Sequence, residues 1–127
     1  MNKRSINSHK APKASGGYAQ AIEITGAQRI LLVSGQIPVT ADGRVPETFR
    51  DQALLAWRNV EAQLQAADMG LKNIVKHTTF LSDRRHKQAN SEIRQQVLGD
   101  SEAALTVIIT GIYDEAWLLE IEAIAAA

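Results

Sequence analysis

Trp117-Leu118-Leu119-Glu120-Ile121-Glu122-Ala123-Ile124-Ala125 is an apolar run near the end of the chain that carries two acids two residues apart. Read as a strand, its side chains alternate between faces. Leu119, Ile121 and Ala123 then point one way, and Leu118, Glu120, Glu122 and Ile124 the other. A carboxylate in apolar surroundings is costly unless it is hydrogen-bonded, charge-paired or neutralised. Two of them on one face mark a polar cleft, a subunit interface or a plain solvent face.

Before this strand, residues 110–116 hold Gly111 and Asp114 and read as a turn, and 105–110 read as another strand. Further back, Ile74–Leu81 is rich in Ile, Val and Thr, the composition of a strand. Between these strands lies a charged loop, Ser82-Asp83-Arg84-Arg85, followed by a helix over 86–98. That helix has Ala89, Ile93 and Val97 on one side and Gly99 at its end. A longer helix over 48–68 starts at Thr48 as N-cap and closes near Gly70 as C-cap. Its apolar stripe is Ala53, Trp57, Val60, Leu64 and Ala67, at alternating spacings of four and three. Residues 19–24 and 29–34 read as a hairpin joined through Gly26, and 1–15 as a loosely ordered lead-in.

The predicted order is β-β-α-β-α-β-β, an α+β class with both helices on one face of the sheet. The other face is left bare and partly apolar, which marks an interface between subunits.

The chain has 127 residues, which predicts a single domain over 1–127. Lys plus Arg number 14 and Asp plus Glu number 14. That balance argues against nucleic acid or an anionic membrane as partner, since both need a basic surface. There is no cysteine, so disulfides, thiol nucleophiles and Cys-based metal sites are excluded. Lys3 and Arg4 are not followed by an apolar segment, and no apolar run approaches membrane-spanning length. The expected compartment is the cytoplasm.

No phosphate-binding glycine loop and no HExxH helix is present. His9, His77 and His86 lack ligand partners at useful spacing, so no metal and no cofactor is expected. His77, inside a strand, reads as a satisfied structural histidine. Ser34 with His77 as base lacks the nucleophile elbow that would support it. Arg84-Arg85 reads as a solvated loop, Trp57 as core, and Trp117 as packing rather than cleft lining. The residues alone predict a small oligomeric α+β domain with an acidic, apolar-walled cleft.

Several segments together resemble the RidA family, also called the YjgF or L-PSP family. Gly16-Gly17-Tyr18-Ala19-Gln20 is similar to its G-P-Y-x-Q, and Ser34-Gly35-Gln36-Ile37-Pro38 to its S-G-Q-I-P. Asn59 sits where the family has its helix Asn, and Asp68-Met69-Gly70 resembles its helix end. The strand Ile74–Leu81 is similar to D-V-V-K-T-T-V-F-L, Asn90 matches the Asn of the second helix, and Glu120–Ala125 looks like E-I-E-A-I-A. The resemblance covers nearly the whole chain in order.

The resemblance implies a chorismate-mutase-like fold and a homotrimer, with a central barrel of sheets, helices outside and a small-molecule site in each intersubunit cleft. It also implies hydrolysis of reactive 2-imino acids to 2-oxo acids and ammonia, with Glu120 as the catalytic acid. Tyr18, Ser34, Asn90 and Thr106 would bind substrate, together with the residue at 105. Here the chain departs from the family pattern. The arginine that grips the substrate carboxylate falls on Leu105, the proline before it on Ala103, and the proline of G-P-Y on Gly17.

Losing a bidentate Arg–carboxylate anchor, at about 3–5 kcal/mol, would cut imino-acid turnover by some two to three decades or more. Three readings follow. The first is a divergent enamine or imine hydrolase of altered substrate range, with Arg84 or Arg85 as candidate replacement cations. The second is a noncatalytic ligand-binding or interaction trimer. The third is a ribonuclease, which the neutral charge argues against.

Overall fold

Strands and helices follow the two periodicities of the sequence. In the computed structural model, which describes residues Met1–Ala127, the strands are β1 (Asn2–Ile6), β2 (Ala21–Thr25), β3 (Ile30–Gln36), β4 (Ile74–Leu81), β5 (Ala104–Ile109) and β6 (Leu119–Ala126). The helices are α1 (Phe49–Ala66) and α2 (Lys87–Leu98). Four strands form a sheet in the order β3-β6-β4-β5. Its pairs are antiparallel except β4–β5, which is parallel.

The alternation along β6 organises this sheet. Leu119, Ile121 and Ala123 are buried against the helices, whereas Glu122 and Ile124 are exposed on the other face. The buried set joins Trp57, Val60 and Leu64 of α1 and Ile93 of α2 in one core. Each such side chain contributes about 1.5–3 kcal/mol by leaving water. On the helix-free face Leu32 is 74% exposed and Ile30 64%. Both helices therefore cover one face, and the other is bare and partly apolar.

Helix α1 begins as its sequence predicts. Thr48 is extended, and its hydroxyl accepts from the Asp51 N–H at 3.1 Å. The stripe Ala53, Trp57, Val60 and Leu64 is buried, and Ala67 is half-buried. The helix stops at Ala66, before Gly70 is reached. Asp68, at φ 56°, takes the left-handed turn that Gly70 was expected to supply. A short polar side chain tolerates that conformation, and Gly70 itself is extended at φ −137°.

Two further expectations are corrected. Strands β2 and β3 do not pair with each other: β2 pairs with β1, and β3 with β6. The lead-in is not wholly loose, because Asn2–Ile6 forms β1 along β2. Its sequence, NKRSI, carries no apolar alternation to reveal a strand. What holds it is cross-strand pairing, including Arg4 opposite Glu23 with a 3.1 Å ion pair. This ribbon meets the main sheet where Ala19 bridges Ala104.

Two side-chain amides, one buried and one half-buried, fix the loops around the sheet ends. Gln52 donates to the carbonyls of Pro46 and Ala116 and accepts from the Leu118 N–H. Asn59 donates to the carbonyls of Ile37 and Val39, tying the segment after β3 to α1. No helix is long and apolar enough to cross a membrane.

Candidate functional site

Gly16 and Gly17 both adopt positive φ, 91° and 79°, and turn the chain so that Tyr18 reaches α2. On α2, Asn90 and Arg94 lie four residues apart and are both buried, as the helical repeat dictates for one face. On β5, Leu105 pairs with His77, a residue on the helix side of the sheet. Tyr18, Asn90, Arg94, Leu105 and Val107 line one cavity of about 220 Å³, together with Ser15, Lys87 and Ser91. Three of the residues singled out from sequence, Tyr18, Asn90 and Leu105, are thus brought together within one chain.

Arg94 was not among the sequence candidates. Its signal was an arginine beside Ile93 and three residues before Val97, at the edge of the apolar side of the helix, where charge is unexpected. Its Nη2 donates to the Gly16 carbonyl at 2.7 Å and to Ser91 Oγ at 3.2 Å. The guanidinium carbon stands 5.8 Å from the centroid of the Tyr18 ring, a cation–π distance. Its Nε is buried with no partner. Both ion pairs of the chain lie elsewhere, Arg4–Glu23 and Arg44–Asp42. Burial pulls the Arg94 pKa below its ordinary value, and Tyr18 opposes that shift.

Glu120, Ser34 and Thr106 do not join this cavity. Glu120 pairs with Phe80 on the opposite face of the sheet, half-buried beside Gly35. Ser34 is the exposed neighbour of Gly35. Thr106 Oγ accepts from Lys76 Nζ at 2.7 Å, and its register partner is Thr78, itself paired with Glu122 on the helix-free face. The period-two alternation separates Leu105 from Thr106 and puts the sheet between Leu105 and Glu120.

Ser34 and His77 cannot form a nucleophile–base pair, because β6 runs between their strands. His77 is a buried structural residue in edge contact with Trp57, ring centroids 5.3 Å apart. It is not fully satisfied, since its Nδ1 has no partner. Arg84 and Arg85 are exposed and do not line the cavity of their own chain. Trp117 packs against Tyr113, ring centroids 6.4 Å apart. No group of three or more His, Cys, Asp or Glu side chains is placed to hold a metal.

A family model described as endoribonuclease L-PSP matches residues 8–127. The chain belongs to this family. Its relatives in the L-PSP, or RidA/YjgF, family include a RutC family protein of Aquifex aeolicus, 31% identical over 120 residues and covering 94% of each chain. Another is the Escherichia coli protein named "Putative reactive intermediate deaminase TdcF", 32% identical over 102 residues, which are 80% of this chain and 77% of that protein. The crystal structure of E. coli TdcF with bound serine superposes at a TM-score of 0.74, with 30% identity and 98% of both chains covered. A Rid-family protein of unknown function from Yersinia pestis, YyfB, superposes at 0.85 over 100% of both chains. At 24% identity it speaks for the L-PSP fold alone.

Proposed function

We propose that this L-PSP family chain is the subunit of a homotrimer whose intersubunit clefts hydrolyse small reactive imines or enamines. The observation that carries the reading is the convergence of Tyr18, Asn90 and Leu105 on one cavity, in a relative of a protein named as a deaminase. The partly apolar face exposing Ile30 and Leu32 supports assembly, because monomers rarely leave such a face open. Glu120 lies on that same face. In the trimer a neighbour's Glu120 completes the cavity lined by Tyr18 and Asn90.

The chemistry needs one base that can later act as an acid. Glu120 takes a proton from water as the water oxygen bonds to the imine carbon. It passes that proton to nitrogen, giving a carbinolamine, and then carries the carbinolamine's hydroxyl proton to the same nitrogen as the carbonyl forms and the carbon–nitrogen bond breaks. The products are a carbonyl compound and ammonia. Tyr18 and Asn90 hold the substrate, and Leu105 supplies an apolar wall.

The test is the decay of 2-iminobutanoate generated in situ by a PLP-dependent dehydratase. The protein should accelerate decay over buffer, and Asn90→Ala and Glu120→Gln should each lower that acceleration by about a hundredfold. Decay at the buffer rate in the presence of an intact trimer would overturn the reading.

A further inference from the structure

Arg94 is a buried cation without a counter-ion. Burying a charge is costly unless it is paired and hydrogen-bonded. Of the five N–H donors of a guanidinium, Nη2 is committed to Gly16 and Ser91. Nε has no partner, and Nη1 makes no hydrogen bond within the chain. The side chain is 6% exposed and lines the cavity that holds Tyr18, Asn90 and Leu105. Its position is fixed from two sides, by the Gly16 carbonyl at 2.7 Å and by the Tyr18 ring. A residue held this firmly loses little freedom when it meets a ligand. No acidic side chain lines the cavity to compete for it, and the other cation of the lining, Lys87, is exposed to solvent whereas Arg94 is buried.

We infer that Arg94 is the specificity-determining cation of this cavity, gripping the carboxylate of a small anionic ligand from helix α2 rather than from the position now occupied by Leu105. This inference rests on the proposed reading of the cavity as a ligand site. It deepens that reading by naming the charge class of the ligand and the residue that selects it. Leu105, which lines the same cavity from β5, then packs against the apolar part of the ligand.

Titration with 2-oxobutanoate, and separately with the uncharged 2-oxobutanamide, tests the assignment, with affinity read by calorimetry. Arg94→Gln should weaken 2-oxobutanoate about ten- to hundredfold and leave the amide unchanged. Arg94→Lys, which keeps the charge, should recover part of the loss. The Nε–Hε resonance of Arg94 in the unaltered protein provides a readout that does not depend on the glutamine variant folding. It should move with the carboxylate and stay in place with the amide. An unshifted resonance, or equal affinities for the carboxylate in unaltered and Arg94→Gln protein, overturns the assignment. If both ligands bind the Arg94→Gln protein normally, the cavity reading survives and only the role of Arg94 fails. If neither ligand binds the unaltered trimer, both fail.

Discussion

Gly35 lies directly against the side chain of Glu120. A Cβ built on Gly35 would come within 2.8 Å of Glu120 Cδ and 3.1 Å of Cγ, and would fall on the carboxylate itself. The glycine is required here for close approach, because only a residue without a Cβ leaves room for the acid. Gly35→Ala should therefore displace Glu120. The glutamate can swing aside, so stability should change by less than about 1.5 kcal/mol. Imine hydrolysis should fall as far as in Glu120→Gln, and the double variant should be no worse than either single one. Additive losses would mean that Gly35 acts independently of Glu120.

Assembly depends on the bare face. Leu32 is 74% exposed at its centre, opposite Ile124 on β6. Leu32→Lys places a charge where three subunits are expected to meet. Light scattering coupled to size exclusion should give a mass about three times the 13.9 kDa chain for the unaltered protein, and about one chain for the variant. A trimer that survives the substitution would place the interface elsewhere.

His77 makes stability depend on pH. Burial, reinforced by the charges of Arg94 and Lys76, lowers its pKa to about 4. In the unfolded chain it titrates near 6.5. Between these values the unfolded state binds a proton that the folded state refuses. Stability is therefore full above about pH 6.5 and is lost as pH falls toward 4, by about 2 kcal/mol between pH 7 and pH 5. Urea unfolding at fixed protein concentration should show this loss in the unaltered protein and a smaller one in His77→Leu. Equal slopes in the two proteins would assign the acid sensitivity to other groups.

Gln52 offers a test of the loop anchoring. It is 2% exposed and satisfies two carbonyls and one N–H from segments far apart in sequence. Gln52→Ala leaves these three part-buried groups without their partner, so unfolding free energy should fall by about 1–3 kcal/mol. A loss below about 0.5 kcal/mol would show that water replaces the amide without cost.

Much of this was legible in the sequence, for identifiable reasons. The alternation over residues 117–125 and the stripe of α1 are set by burial, which leaves a strong periodic mark. Tyr18, Asn90 and Leu105 were found through family resemblance, and the fold brings them together. The strand β1 was not legible because its partner strand, not its own composition, holds it in place. Asp68 was passed over for Gly70 because glycine is the commoner left-handed residue. Arg94 was missed because charge at the edge of an apolar stripe reads as a solvated residue until burial is known. The separation of Glu120 from the cavity is a consequence of sheet alternation that motif matching does not carry.

Within one chain the sheet stands between Glu120 and the cavity of Tyr18, Asn90 and Arg94. In the proposed trimer, a working cleft needs the cavity of one subunit and Glu120 of the next. The decisive measurement mixes two inactive proteins, Glu120→Gln and Asn90→Ala, in equal amounts, unfolds them in urea and refolds them together. Random trimers should regain about a quarter of the unaltered activity toward 2-iminobutanoate, because about one cleft in four pairs an intact cavity with an intact Glu120. Activity no greater than that of the separate variants would mean that cavity and acid must come from the same chain, and would contradict the account.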